Sequence, residues 1–98
     1  MLEREIDKKC HEEAQLRGGR LIRLRPPPAG IFDRLLLMPG GHFCFVEMKT
    51  ATGQLNAMQR EFKQDLIRMR IPWRVVRSVD EFIALLNQLE REHLEVTA

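Results

Sequence analysis

The sequence has few of the residues that build disulfide frameworks or zinc sites. Its two cysteines, Cys10 and Cys44, lie far apart, in segments that read as a helix and a strand, whereas a zinc site needs more ligands at closer spacing. The three histidines are scattered along the chain at His11, His42 and His93. We therefore expect both thiols to be buried as small apolar groups and the histidines to be structural or on the surface.

Long apolar runs are also absent. No stretch approaches the roughly 20 apolar residues that span a bilayer, and the N-terminal segment MLEREIDKKCHEE has no apolar core of a secretory signal. We expect a cytoplasmic protein without a membrane segment. The 98 residues, 44% hydrophobic and 31% charged, predict a single domain covering residues 1–98. Such a small chain buries limited surface, so a homodimer would add stability.

Charge is unevenly spread along the chain. The segment from Asp80 to Ala98 has five acidic residues and one basic residue, and the remainder has 15 basic and 9 acidic residues, or +6 against +2 for the whole chain. A basic excess in residues 1–79 fits a polyanionic partner. It is weak evidence alone, because many proteins have such an asymmetry.

Apolar spacing predicts three helices. Residues 2–17 carry an apolar residue at every fourth position, and Gly18-Gly19 follows as a helix stop. Apolar residues spaced three or four apart predict a second helix over 55–69. The sequence Ser78-Val79-Asp80-Glu81 reads as a capping box that opens a third helix.

Short apolar segments predict four strands, at residues 21–24, 31–38, 42–49 and 73–76. Pro39-Gly40-Gly41 joins the middle two into a hairpin. Because both hairpin strands carry apolar residues on both faces, we expect them to be central and covered on two sides. The order α-β-β-β-α-β-α then predicts an α/β fold with a mixed central sheet and flanking helices.

Two acidic residues of the hairpin are predicted to face each other. With the turn centred at Gly40, opposed residues have numbers that sum to about 80, so Met38 faces His42 and Asp33 faces Glu47. Like charges opposite each other in a buried sheet are destabilising. A shared proton or a bound divalent cation would offset that cost.

A lysine completes this group. Lys49 lies two residues beyond Glu47 and therefore projects from the same face. Hard oxygen ligands suit Mg²⁺ or Mn²⁺, which can acidify water, and the lysine places positive charge where a phosphoryl group gains negative charge. The group could hydrolyse a phosphodiester. The simpler interpretation stays open: Glu47 and Lys49 form an ordinary salt bridge, and Asp33 caps the preceding proline loop.

Short motifs occur in a fixed order through nearly the whole chain. They are Gly18-Gly19, Gly30-x-x-Asp33-Arg34, Pro39-Gly40-Gly41, Phe45-Val46-Glu47-Met48-Lys49, Gly53-x-Leu55 and Gln59. Together they resemble the VRR-NUC (virus-type replication-repair nuclease) domain, in its stand-alone phage or bacterial form. This domain is a branch of the PD-(D/E)XK nuclease superfamily, so the resemblance implies a restriction-endonuclease-like fold.

The resemblance implies roles for the hairpin residues. Asp33 and Glu47 would bind the metal, with help from the Val46 carbonyl. Lys49 would position the attacking water or stabilise the pentavalent phosphate. Gln59, on the next helix, would face the same centre and join the catalytic set.

The resemblance also implies a further acid on the N-terminal helix, in a Glu-x-x-Ile pattern. Glu3-Arg4-Glu5-Ile6 matches it, so Glu3 is the first candidate for a metal ligand. Asp7, one turn further along the same face, is the second. For both acids, an ordinary solvated helix face is the alternative.

Two positions depart from the family pattern. Phe32 stands where the family usually has proline, and Arg23 or Arg25 stands where it usually has lysine, so substrate contacts near residues 25–30 are in doubt. We predict a phosphate-binding rim of arginines, although arginines beside strands are often ordinary surface residues. The rim would comprise Arg17, Arg20, Arg23, Arg25 and Arg34.

The resemblance implies an Mg²⁺- or Mn²⁺-dependent endonuclease that acts on branched DNA such as Holliday junctions, as a homodimer matched to a two-fold substrate. A DNA-binding module that keeps the nuclease fold without catalysis is the first alternative. A small protein-interaction or regulatory domain is the second.

Overall fold

The computed structural model describes residues 3–24 and 30–97. The described residues form three helices and four strands in the predicted order α-β-β-β-α-β-α. The helices are α1 (Glu3–Leu16), α2 (Ala57–Met69) and α3 (Val79–Thr97). The strands are β1 (Arg20–Arg23), β2 (Arg34–Met38), β3 (His42–Met48) and β4 (Trp73–Val76).

The four strands form one mixed sheet in the order β1-β2-β3-β4. β1, β2 and β3 pair antiparallel, and β4 pairs parallel to β3 after the crossover through α2. The two hairpin strands are central, as predicted. The predicted register is also confirmed, because Met38 pairs with His42 and Arg34 pairs with Val46.

One face of the sheet packs against α1 and α3. Alternate residues of β2 and β3 point to this face, as the two-residue period of a strand requires, and they form the main core with the apolar sides of both helices. The strand residues in this core are Leu36, Met38, Cys44, Val46 and Met48. Because this layer excludes water, it contains most of the hydrophobic stabilisation of the domain.

The opposite face is covered by α2, and less completely. The ring of Phe62 on α2 makes edge-to-face contacts with Phe45 of β3 and with Phe32, each at 5.5 Å between centroids. Phe32, the residue at the family's proline position, is fully buried. Leu37 and Phe43, which pair across the hairpin, remain 40% exposed on this face.

β2 begins three residues later than predicted, at Arg34 rather than Ile31. The preceding segment bends instead of extending. Gly30 adopts a φ of +82°, and a Cβ there would overlap Met58 on the first turn of α2. The chain can therefore pass over α2 and deliver Asp33 to the end of the sheet only with glycine at this position.

The hairpin turn lies against α3. Gly40 has a φ of +87°, and any Cβ at this position would overlap the imidazole of His93. The ring of His93 also makes an edge contact with His42, at 5.8 Å between centroids. The turn residue and α3 together therefore hold the tip of the hairpin.

In the part of the chain that the structure describes, none of the helices combines the length and the apolar character needed to cross a bilayer.

Both cysteines are buried and unpaired, as predicted. Burial raises the pKa of Cys10 and of Cys44 to about 12.

Because the thiolate is the reactive form, both cysteines should resist a disulfide reagent at pH 8 in the native protein. We expect labelling about 10³-fold slower than in guanidinium, since a domain unfolds at a cost of about 5 kcal/mol or more. The Cys10→Ala and Cys44→Ala variants identify each thiol, and rapid labelling of either one in the native state would contradict this prediction.

Candidate active site

The two hairpin acids meet at one end of the sheet. Asp33 occupies the bend before β2, one residue beyond the last ladder pair, Arg34 with Val46. Its backbone N–H donates a hydrogen bond to Glu47 Oε1 at 3.1 Å. The structure thus brings together the two acids that the hairpin register predicted to be opposed.

Glu47 is buried, with 4% of its surface exposed. Its Oε2 lies 3.5 Å from Lys49 Nζ, so the lysine belongs to the same group. Burial and the negative charge of Asp33 raise the pKa of Glu47, and the opposing effects of the Asp33 N–H and of Lys49 do not cancel them. The charged carboxylate is therefore held in a place that disfavours it.

The two carboxylate oxygens of Asp33 have different surroundings. Oδ2 forms an ion pair with Arg34 Nη1, at 2.7 Å. Oδ1 is buried and has no hydrogen-bond partner among the residues that the structure describes. An unsatisfied buried acceptor is costly, and a hard cation is a ligand that would satisfy it. Asp33 Oδ1 beside Glu47 therefore fits a divalent metal ion.

Arg34 is buried and not an exposed surface residue, and its phosphate contact stays a prediction. Only 3% of it is exposed, and its Nε donates to Asp7 Oδ1 at 2.9 Å while Nη1 contacts Asp33. Burial opposes its charge, but Asp7 and Asp33 outweigh burial and raise the pKa of Arg34. Arg34 therefore connects α1 to the acid pair.

Of the two helix acids, the structure brings Asp7 and not Glu3 into this group. Glu3 is exposed on the first turn of α1, whereas Asp7 is bound to Arg34. Within residues 3–24 and 30–97, no cluster of three or more His, Cys, Asp or Glu side chains is arranged to hold a metal ion. Of the three predicted acid ligands, the structure brings Asp33 and Glu47 together, and metal binding by Glu3 stays a prediction.

Gln59 and Val46, the other two members of the predicted catalytic and metal-binding set, have contacts elsewhere. The side-chain oxygen of Gln59 accepts the N–H of Asn56 at 3.1 Å, and Asn56 Oδ1 accepts the N–H of Gln59 at 2.8 Å. This capping box begins α2 at Ala57 rather than Leu55. Val46 pairs with Arg34 within the sheet, so its carbonyl lies between paired strands. Catalytic or metal contacts of both residues stay predictions.

The other described rim arginines lie in two places, with Arg17 apart from Arg20 and Arg23. Arg17 is bound to α3, through Asn87 Oδ1 at 2.5 Å and Glu90 at 3.4 Å. Arg20 and Arg23 are exposed on β1. Arg25 lies outside the described residues.

The loop after Lys49 is anchored by an arginine that the sequence analysis did not single out. Arg77, just after β4, donates to the Thr50 carbonyl at 2.9 Å and also to the Gly53 carbonyl. These bonds fix the polypeptide immediately after Lys49. A lone arginine at a strand end gives no sequence signal for this role.

Glu47→Gln should stabilise the metal-free protein. Because the native pKa of Glu47 is raised, folding favours the neutral form, and the charged form costs stability at pH values above its unfolded pKa. An amide removes that cost and still accepts the Asp33 N–H. In EDTA at pH 7.5 we expect a melting temperature several degrees higher, since 1 kcal/mol shifts a domain of this size by about 4–8 °C. The difference in melting temperature between the variant and the wild type should shrink as pH falls, because wild-type Glu47 then becomes protonated. A melting temperature of the variant below that of the wild type at pH 7.5 would contradict the prediction.

Comparisons with known proteins support the fold. No protein-family model matches the sequence, and no curated protein is significantly similar. A solved structure titled "VRR_NUC domain" aligns with a TM-score of 0.77, covering 87% of this chain and 94% of that chain at 23% sequence identity. The architecture that the motifs predicted is therefore confirmed: the chain has the fold of a VRR_NUC domain.

Proposed function

We propose that the protein is a metal-dependent nuclease that hydrolyses phosphodiester bonds in DNA. The observation that carries this proposal is a buried oxygen of Asp33, next to the buried carboxylate of Glu47, that has no hydrogen-bond partner among residues 3–24 and 30–97. A cation bound between the two groups would offset the cost of this arrangement. The similarity to a VRR_NUC domain supports a nuclease over other uses of a carboxylate pair.

Each residue of the centre has a distinct proposed role. Asp33 Oδ1 and Glu47 would hold Mg²⁺ or Mn²⁺. When bound, the ion supplies positive charge to the phosphoryl group and favours deprotonation of the attacking water. Lys49, with 21% of its side chain exposed and its Nζ 3.5 Å from Glu47, would place its ammonium against the negative charge that develops on the phosphate.

The finer proposals concern substrate and assembly. We propose branched DNA, such as a four-way junction, and a homodimer whose two-fold symmetry matches two cleavable strands. The partly exposed pair Leu37 and Phe43 supplies apolar surface for an interface on the α2 side of the sheet.

The test is cleavage of labelled DNA. A four-way junction, its component duplex and a single strand are incubated with the protein in Mn²⁺, Mg²⁺ or EDTA. We expect cleavage in the presence of either metal, fastest on the junction, and none in EDTA. Equal cleavage of all three substrates would contradict the proposed preference for branched DNA. The absence of cleavage in both metals would contradict the proposed nuclease activity.

A DNA-binding module without catalysis is the second candidate. It is favoured by one observation, because Asp7 is bound to Arg34 and is not directed at the acid pair. Melting in Mn²⁺ and in EDTA separates the two candidates. A ligand that binds only the folded state must stabilise it, so a nuclease should melt at a higher temperature in Mn²⁺, and a module without a metal site should not.

A further inference from the structure

We propose that a groove between α1 and the edge strand β1 binds a second stretch of nucleic-acid backbone, separate from the phosphate that is cleaved. The groove is lined by Asp7, Lys8, His11, Arg20, Arg23 and Arg34, together with the two apolar residues of β1. It encloses about 440 Å³. The proposal rests on the nuclease assignment only for the identity of the polyanion.

The charges of the groove are available to a ligand. Within the described part of the chain, neither Lys8 nor Arg20 forms an ion pair, and both are exposed. Arg23 lies 4.0 Å from Asp7, at the limit of an ion pair. Asp7 itself is ion-paired with buried Arg34. Three cations, those of Lys8, Arg20 and Arg23, therefore face an anionic ligand without full compensation.

The edge of β1 adds backbone donors. The N–H of Leu24 donates to the Asp33 carbonyl at 3.0 Å, so the alternation of an antiparallel ladder directs the N–H groups of Leu21 and Arg23 away from β2. β1 has no other strand beside it among residues 3–24 and 30–97. Backbone N–H groups and basic side chains are the groups that proteins use against phosphate oxygens.

The length of the groove fits a short run of phosphates. From Arg20 to Arg23 a strand advances about 10 Å, which is more than the width of a single phosphate. The three available cations are therefore spread along the groove. A small anion would engage only one of them, so the fit favours a polymer backbone.

The groove is continuous with the acid centre through one residue. Arg34 lines the groove and also contacts Asp33. A strand lying in the groove would therefore reach the centre at Asp33, and the groove would hold nucleotides a few positions from the cleaved bond.

The test is DNA binding in EDTA, which separates binding from cleavage. The variant Lys8→Ala/Arg20→Ala is compared with Arg68→Ala/Arg91→Ala, which removes the same charge from exposed positions on α2 and α3. We measure affinity for a labelled duplex from 50 to 200 mM salt. We expect the groove variant to bind on the order of tenfold more weakly at physiological salt. The slope of the logarithm of the binding constant against the logarithm of the salt concentration should be shallower by about 1.8, or about 0.9 for each lost phosphate contact. The control should keep the wild-type dependence.

Three outcomes would overturn the proposal. One is an unchanged salt dependence in the groove variant, and another is an equal change in the control. The third is loss of self-association in the groove variant during sedimentation without DNA, because the β1 edge would then pair with a second copy of the chain. If the groove variant shows a shallower salt dependence of DNA binding but the wild-type protein cleaves no DNA, the groove proposal stands and the proposed nuclease activity is contradicted.

Discussion

Cleavage by the Lys49→Met variant should be slower than cleavage by the wild type by about 10²- to 10³-fold at saturating Mn²⁺, the usual effect of removing one group that stabilises transition-state charge. The ammonium lies 3.5 Å from Glu47 Oε2, and methionine keeps the length of the side chain without its charge. Single-turnover cleavage of a labelled junction measures the effect.

Two further variants separate catalysis from folding and from metal binding. Lys63→Met removes an ammonium that lies over the Trp73 ring, outside the acid centre, and should cleave at close to the wild-type rate. Asp33→Asn should lose cleavage and also the rise in melting temperature that Mn²⁺ gives, whereas Lys49→Met should keep that rise. A wild-type rate in Lys49→Met would remove the lysine from the mechanism.

Arg34→Met should lower the free energy of unfolding by about 3 kcal/mol, because it leaves two partly buried carboxylates without their common partner. For a domain of this size that corresponds to roughly 12–24 °C in melting temperature. Chemical denaturation in EDTA measures it.

A surface ion pair supplies the matched control. Arg68 and Asp65 form an exposed pair on α2, at 3.2 Å and with side chains 71% and 49% exposed, so Arg68→Met should change stability by less than about 0.5 kcal/mol. The double variant Asp7→Asn/Arg34→Met should recover part of the lost free energy of unfolding, since it removes one of the two carboxylates left without a partner. Equal effects of the two single arginine variants would contradict a structural role for Arg34.

The hairpin and its register were predictable from the sequence because they depend on local features. Pro39-Gly40-Gly41 leaves one place for the turn, and the two-residue period of strands then fixes which residues oppose each other. The opposition of Asp33 and Glu47 follows by counting from the turn. The parallel pairing of β4 with β3 was not predicted, because the order of elements predicts only a mixed sheet with flanking helices and carries no local signal for the neighbour of β4.

The partners of the acid centre were not predictable in the same way. Asp7 and Arg34 are 27 positions apart, and their ion pair depends on how α1 is rotated about its axis when its apolar stripe packs against the sheet. Glu3 and Asp7 share a helix face, so their spacing does not separate them, and only the family resemblance placed Glu3 first. A basic residue at the start of a strand reads as surface, and only the tertiary structure shows that Arg34 is covered.

One local signal was present in the sequence but did not enter the prediction. Asn56-x-x-Gln59 has the spacing of a capping box, and it predicts the start of α2 at Ala57. The family resemblance assigns Gln59 a catalytic role, whereas the spacing alone predicts a cap. The structure places its side-chain oxygen in the cap.

The ionic contacts around Asp33 have a consequence for the order of events. Three acids, Asp7, Asp33 and Glu47, meet two bases, Arg34 and Lys49, so with all five groups ionised the centre carries one net negative charge. A phosphodiester is also an anion, and the two repel each other. A divalent ion reverses the sign, so DNA should enter the centre only with or after the metal, and the dissociation constant for Mn²⁺ should fall when DNA is present, by the reciprocity of linked equilibria.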